Sequence, residues 1–197
     1  MNKVIGLTGG IASGKTTVSN YLKDQGFVVL DADEYSRKTT AKDGPAIPQI
    51  VEAFGQDILD EDGNLNRAKL GQIIFNDKSK RQILNEIVHP LIRQMMNADQ
   101  EKYIKEGHVF LDIPLLFENG LDKNCDLIIT VYVDEKVQME RLQARNNLSS
   151  EEAKSRIDSQ MSLLEKKNMS DIVFDNNGDL PSLYKQVDKF ANELKSM

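Results

Sequence analysis

The first residues whose types and spacing could do chemistry lie near the start of the chain, in the segment GGIASGKT (9–16). Gly9, Gly14, Lys15 and Thr16 match the spacing G-x-x-x-x-G-K-[ST], in which glycines let successive backbone N–H groups turn toward one anion. A lysine at this place reaches the β- and γ-phosphates of a nucleotide, and the threonine hydroxyl can ligate Mg²⁺. The segment therefore predicts a phosphate-binding loop rather than a glycine-rich surface turn.

A second pair of polar residues, Asp31 and Asp33, follows the apolar segment FVVL (27–30). In a parallel sheet, ligands bind outside the carboxyl ends of the strands, where the phosphate-binding loop also leaves its strand. Either carboxylate could accept a proton from an attacking hydroxyl or hold a Mg²⁺-bound water, and we favour Asp33. The alternative is that one of them only caps a helix starting near Glu34.

Two basic residues further along the chain have a spacing that would let them bind the same ligand. Arg141 and Arg145 are four residues apart, so they lie on one face of a helix. Two guanidinium groups on one face suit a polyphosphate whose charge grows in a transition state. A solvated charged face is the alternative. His89, taken alone, is more typical of a core or capping histidine than of a substrate contact.

The elements that must position these residues are short apolar segments separated by helical patterns. Five segments are typical of buried strands: VIGL (4–7), FVVL (27–30), HVFLDI (108–113), LIITVYV (127–133) and DIVF (171–174). This alternation predicts an α/β fold with a P-loop NTPase-like parallel sheet of about five strands and helices on both faces.

Two long segments between the strands have helical patterns only. Residues 34–107 show no convincing strand and predict a helical excursion, in which one long helix must bend or break near Pro90. Residues 135–167 predict a small, highly charged helical part, with a capping box formed by Ser149 and Glu152.

Length and composition limit the classes of protein to consider. A chain of 197 residues with 40% hydrophobic and 28% charged residues favours one compact globular domain with small excursions. Its net charge of −6 makes nucleic acid an unexpected partner. Its single cysteine, Cys125, excludes an intramolecular disulfide and favours a reducing, cytoplasmic location. We find no signal peptide and no apolar run of about 18 residues, so no membrane association is expected.

The order of several segments resembles the dephospho-CoA kinase family. These segments are GLTGGIASGKT, DADEYSR, HPLI, IPLLFENGL, ERLQAR and DNNGD. The resemblance runs from residue 5 to about 187, nearly the whole chain. The resemblance implies transfer of the γ-phosphoryl group of ATP to the 3′-hydroxyl of dephospho-CoA, the last step of coenzyme A synthesis. It implies ATP and dephospho-CoA as substrates, Mg²⁺ as cofactor, and no nucleic-acid, membrane or obligatory protein partner.

The resemblance also implies a division of the chain and roles for its residues. Residues 1–33, 108–134 and 168–197 would form the nucleotide-binding core, residues 34–107 the acceptor-binding region and residues 135–167 a lid. The implied ATP-binding residues are Gly9, Gly10, Ile11, Ala12, Ser13, Gly14, Lys15, Thr16, Thr17, Arg141, Arg145 and Asn176, and Thr16 would ligate Mg²⁺.

The catalytic residues implied by the resemblance are Asp33, as the base, with Lys15 and Arg141. Asp33 and His89, the latter in an H-P motif, match the acceptor side. Glu118 lies just beyond a strand end and is a weaker acceptor-side candidate from its position alone. Asp112 ends the segment VFLD as a Walker B aspartate would, but this position varies in the family, so we do not predict it as the main Mg²⁺ ligand.

Two other functions remain open from the residues alone. Another nucleoside or nucleotide kinase would have the same phosphate-binding loop and differ only in its acceptor region. A nucleotide-controlled switch protein would hydrolyse ATP or GTP slowly and depend on a protein partner. The absence of an N-K-x-D guanine-reading motif argues against the GTP form of that switch.

Overall fold

The computed structural model describes all 197 residues and divides them into two compact units, residues 1–30 with 102–197 and residues 31–101. The strands are β1 (Val4–Thr8), β2 (Val28–Asp31), β3 (Val109–Asp112), β4 (Leu127–Tyr132) and β5 (Ile172–Asp175). The α-helices are α1 (Lys15–Asp24), α2 (Ala32–Thr39), α3 (Ile47–Phe54), α4 (Arg67–Asn76), α5 (Lys78–Tyr103), α6 (Glu135–Asn146), α7 (Ser150–Asp158), α8 (Leu163–Met169) and α9 (Leu180–Lys195).

The five strands form one parallel sheet in the order β2-β3-β1-β4-β5, with helices on both sides. The central strand β1 is buried along its whole length and pairs with β3 and β4. Its last residues, Leu7 and Thr8, lie opposite Asp112 and Thr130 respectively. This register places the end of β3 directly beside the start of the phosphate-binding loop.

Apolar side chains from strands and helices form the core of the first unit. The strands contribute residues such as Ile5 and Phe110, and the inward faces of α1 and α9 contribute residues such as Leu22 and Phe190. Packing of this kind is expected of a parallel sheet, which is stable only when both of its faces are covered. The core therefore holds β1, and with it the loop that follows β1, in one position.

The second unit is helical and has its own small core. Apolar side chains of α3, α4 and α5, including Ile50, Leu70 and Val88, pack together with Ile58 and Leu65 from the connection between α3 and α4. That connection carries a single isolated antiparallel bridge, between Leu59 and Leu65.

The sequence-based expectation of an α/β fold with a five-stranded parallel sheet is confirmed. The predicted capping box is present, because the Ser149 hydroxyl accepts from the Glu152 N–H and the Glu152 carboxylate accepts from the Ser149 N–H. Of the two alternatives expected at Pro90, a bend or a break, the break does not occur, since α5 continues through Pro90. None of the helices has both the length and the apolar composition needed to cross a membrane.

Candidate active site

The predicted phosphate-binding loop joins β1 to α1 and has the backbone conformation that its sequence requires. Gly14 precedes the first residue of α1 with φ of 92°, in the left-handed region that favours glycine. A side chain at this position would overlap the side-chain amide nitrogen of Asn176. The first N–H groups of a helix have no partner within it, and the first turn of α1 contains no acidic residue. This helix terminus therefore presents donors and a positive dipole to an anion.

Side chains from outside the loop hold its carbonyl oxygens at three alternate residues. The Lys166 ammonium group donates to the Gly9 oxygen at 2.9 Å, the Gln138 amide to the Ile11 oxygen at 2.9 Å, and the Asn176 amide to the Ser13 oxygen at 2.9 Å. The C=O and N–H groups of one trans peptide point in opposite directions. The bonds to Ile11 and Ser13 therefore turn the N–H groups of Ala12 and Gly14 away from the bracing side chains, as an anion-binding loop requires. The Gly10 N–H, which follows the Gly9 carbonyl, instead donates to Ser13 Oγ at 3.2 Å.

The region predicted to form a lid packs directly on this loop. Ile11 and Ala12 contact a small apolar cluster built from Leu142 of α6 with Ala153 and Ile157 of α7. In addition, the Gln160 side chain accepts from the Ile11 N–H at 3.0 Å. Helices α6 and α7 are thus anchored to the loop that they are predicted to cover.

Lys15 forms an ion pair with Asp112 at the end of β3. Both side chains are largely buried, with 13% of the lysine and 3% of the aspartate exposed. The pairing follows from the register, because Asp112 lies opposite Leu7 and the loop begins two residues after Leu7. The ion pair holds the lysine at the mouth of the loop. The hydroxyl-bearing Thr16 is exposed on the first turn of α1.

A fully buried lysine, which sequence reasoning missed, lies next to this pair. Lys166 of α8 has no exposed surface and also donates to the Pro114 oxygen at 2.9 Å. Its ammonium group lies 3.2 Å from the carboxylate of Glu118, whose predicted role was on the acceptor side. Burial lowers the pKa of Lys166 despite the opposing effect of Glu118, and the charge of Lys15 lowers it further. The charged helix sequence LLEKKNM offered no signal that one of its lysines points inward.

The two predicted lid arginines lie on α6 and differ in their surroundings. Arg141 is half-buried, and its guanidinium group lies 3.5 Å from the Gly178 oxygen. Arg145 is exposed and donates to the side chain of its neighbour Asn146 at 2.8 Å. Neither guanidinium group is paired with a carboxylate, so both can take up an anion.

The two aspartates that follow β2 differ in their contacts. Asp31 is the N-cap of α2, and its carboxylate accepts from the Asp33 N–H at 2.8 Å. The capping alternative considered for this pair therefore applies to Asp31. The side chain of Asp33 is exposed on the first turn of α2.

His89 lies on α5 and lines a cavity of about 270 Å³ inside the second unit. The polar residues around it are Ser36, Thr40, Arg67 and Asn85, and the remaining wall is mostly apolar. The guanidinium group of Arg67 donates to the Thr40 oxygen at 3.3 Å, which holds it at the cavity. This unit therefore contains a pocket with both cationic and apolar surface.

The parallel sheet and the loop between β1 and α1 define a P-loop kinase-like α/β protein. A family model described as dephospho-CoA kinase matches residues 3–182. A dephospho-CoA kinase from Staphylococcus aureus is 46% identical over 194 residues, covering 98% of this chain and 94% of that protein. The chain belongs to the dephospho-CoA kinase family.

Solved structures agree with this assignment. Dephospho-CoA kinase from Campylobacter jejuni is similar with a TM-score of 0.79 and 29% identity, covering all of this chain and 99% of the other. A protein from Thermus thermophilus gives a TM-score of 0.80 at 30% identity and 98% coverage of both chains. The predicted family resemblance is confirmed, and the chain is an ATP-dependent kinase of coenzyme A biosynthesis.

Proposed function

We propose that this protein transfers the γ-phosphoryl group of ATP to the 3′-hydroxyl of dephospho-CoA, and that Asp33, Lys15 and Arg141 carry the reaction. The observation that supports it most is the braced loop before α1, with Lys15 held at its mouth. Family membership supplies the acceptor.

The chemistry demands little covalent participation from the protein. The ribose oxygen attacks the γ-phosphorus, the bond to the β–γ bridging oxygen breaks, and ADP leaves. Asp33 accepts the proton of the attacking hydroxyl, and its exposed carboxylate is not used as a helix cap. Lys15 and Arg141 stabilise the charge on the transferring group and the leaving oxygen, assisted by Arg145. The backbone of residues 9–17 holds the phosphates, with Asn176 acting through the carbonyl of Ser13.

The residues of the loop fit Mg²⁺ as a cofactor. Mg²⁺ in such sites takes one or two protein oxygens and fills its other positions with water and phosphate. The exposed Thr16 hydroxyl on the first turn of α1 is our proposed protein ligand. Asp112 is already paired with Lys15, which agrees with a lesser role in holding the metal. Bound Mg²⁺ would neutralise charge on the β- and γ-phosphates.

We further propose that the cavity lined by His89 takes part of the acceptor. Dephospho-CoA carries a diphosphate and a long pantetheine arm, in which alkyl segments alternate with two amides. Arg67 and His89 offer cationic or donor groups, and the apolar wall offers contact area for the arm. Glu118 has an assigned partner in Lys166, so we give it an indirect role on the acceptor side.

The reaction requires no protein or nucleic-acid partner, and none is part of the proposal. A reducing, cytoplasmic setting fits the one cysteine of the chain. Cys125 is partly buried, and this burial raises the pKa of its thiol to about 11, so it stays protonated at neutral pH.

The test is to incubate the purified protein with Mg·ATP and one acceptor at a time, and to identify products by mass. Dephospho-CoA should gain one phosphate and give coenzyme A with stoichiometric ADP. Adenosine, which has the same ribose without the diphosphate and pantetheine arm, should be a much poorer acceptor because remote binding energy helps to position the hydroxyl. Omission of Mg²⁺ should abolish transfer.

Two results would contradict the proposal in different ways. Phosphorylation of another nucleoside or nucleotide, but not of dephospho-CoA, would leave a kinase with a different acceptor. Hydrolysis of ATP or GTP that depends on a protein partner, with no acceptor phosphorylated, would instead support a nucleotide-controlled switch.

A further inference from the structure

The buried ammonium group of Lys166 joins three separate parts of the site. Its three N–H donors match three acceptors: the Gly9 oxygen of the phosphate-binding loop, the Pro114 oxygen after β3, and the Glu118 carboxylate. Glu118 in turn accepts from the Met161 N–H at 3.3 Å, in the connection between α7 and α8. One charge therefore ties the loop, the segment after β3 and the end of the lid together.

Packing alone does not account for a lysine at this position. Burying an ammonium group costs several kcal/mol of solvation, and an apolar side chain of similar volume usually fills such a place at no loss of stability. The hydrogen bonds of Lys166 go to groups whose positions affect phosphoryl transfer. Gly9 opens the loop, and the peptide between Gly9 and Gly10 is fixed at both ends, since the Gly10 N–H donates to Ser13 Oγ at 3.2 Å.

Comparison with the other two side chains that donate to carbonyl oxygens of the loop shows what is particular to Lys166. Gln138 and Asn176 are neutral and each reaches one carbonyl of the loop. Lys166 is charged, also reaches beyond the loop, and lies close enough to Lys15 for the charge of Lys15 to lower its pKa. It has no exposed surface, so it can act on the loop only from behind and not by contact with substrate.

We propose that Lys166, with Glu118 as its counter-ion, is a positioning residue that holds the phosphate-binding loop in register with the segment after β3 during phosphoryl transfer. The role rests on the proposed function, and it is exerted through Gly9 and Pro114 rather than by contact with a reacting atom. Misplacement of reacting groups by about 1 Å can cost about 100-fold in rate.

The test compares Lys166→Met with Lys167→Met, its neighbour on the same helix. The ammonium nitrogen of Lys167 lies 4.3 Å from the centroid of the Tyr132 ring, so this lysine has a different partner from Lys166. Lys166→Met should lower kcat by about 10- to 100-fold and weaken ATP binding, while KM for dephospho-CoA changes little. Lys167→Met should stay within about threefold of the wild type in all three quantities.

Glu118→Gln provides a second variant that keeps the size and one acceptor oxygen but removes the counter-charge. We expect a smaller loss of kcat than in Lys166→Met, and the effects of the two substitutions should not add in the double variant. Glu118→Gln also tests the positioning role if Lys166→Met fails to fold. An unchanged kcat in Glu118→Gln would then refute the role of the pair.

Titration of ATP binding separates this inference from the proposed function. A wild-type protein that does not phosphorylate dephospho-CoA would overturn the acceptor, whereas a tenfold loss of ATP affinity in Lys166→Met would still support the role at the loop. If Lys166→Met lowers the melting temperature but leaves ATP affinity and kcat of the folded protein unchanged, Lys166 is a structural residue only and the inference is wrong.

Discussion

The buried ion pair between Lys15 and Asp112 allows stability and catalysis to be separated in one experiment. Lys15→Ala removes a cation from a carboxylate that is only 3% exposed. Removing one partner of a buried pair typically costs about 3–5 kcal/mol, and we expect about 3 kcal/mol here because the 13% exposure of Lys15 lets some water reach the site. In a chain of this length, that corresponds to a fall of about 6–12 °C in Tm.

Substitution of the other partner, Asp112, should lower the free energy of unfolding by less than Lys15→Ala does. In Asp112→Asn the lysine keeps its charge, but its long side chain can turn toward solvent and the asparagine keeps an acceptor oxygen. The double variant Lys15→Ala/Asp112→Asn should recover about half or more of the lost stability, because it removes the buried charge that the single variant leaves behind. It should not recover phosphoryl transfer, since no cation then reaches the phosphates.

Thermal unfolding monitored by circular dichroism gives Tm for the wild type and the three variants, and coenzyme A formation gives kcat on the same samples. Lys15→Ala with near-normal turnover would remove the phosphate-binding assignment. A double variant that regains activity together with stability would show that Lys15 acts by holding Asp112 rather than by contacting phosphate. Equal losses of Tm in the two single variants would contradict the asymmetry argued from their exposures.

Four further substitutions and one labelling experiment test other parts of the molecule. Asp33→Asn should lower kcat by about 10²- to 10⁴-fold with little change in ATP affinity, as measured by steady-state kinetics and titration; an unchanged kcat would reject it as the base. Arg141→Ala and Arg145→Ala should each slow phosphoryl transfer, with the larger effect at the half-buried Arg141, and their effects should not add in the double variant. Wild-type rates in both single variants would show that this face of α6 is only a solvated charged surface. Gly14→Ala should abolish ATP binding in a titration because its φ of 92° disfavours a side chain, and normal affinity would contradict the loop geometry. Cys125 should react with iodoacetamide much more slowly at pH 8 in the folded than in the urea-unfolded protein, since its pKa of about 11 keeps the thiol protonated, and equal rates would contradict that burial.

Local patterns in the sequence were sufficient for the phosphate-binding loop, the five strands and the capping box at Ser149. Each of these depends on residues close together in the chain: a glycine where φ must be positive, a short β-branched segment, or a hydroxyl three residues before a glutamate. The same kind of pattern left Asp31 and Asp33 undecided, because both can cap a helix and only the hydrogen bond from the Asp33 N–H shows that Asp31 does so.

The long helix and the buried charges depended on contacts that no local pattern contains. Proline at position 90 favours a break in an isolated helix, yet α5 continues through it where its apolar side chains pack into the core of the second unit. Lys166 reads as one of several surface lysines, and only the approach of Gly9, 157 residues away in the chain, supplies the acceptor that makes its burial tolerable. The sequence by itself determined the class of fold and the loop that binds phosphate, since these follow from local backbone preference and apolar patterning. The tertiary structure alone decided which side chains brace that loop, since those partners are brought together only when the sheet is assembled.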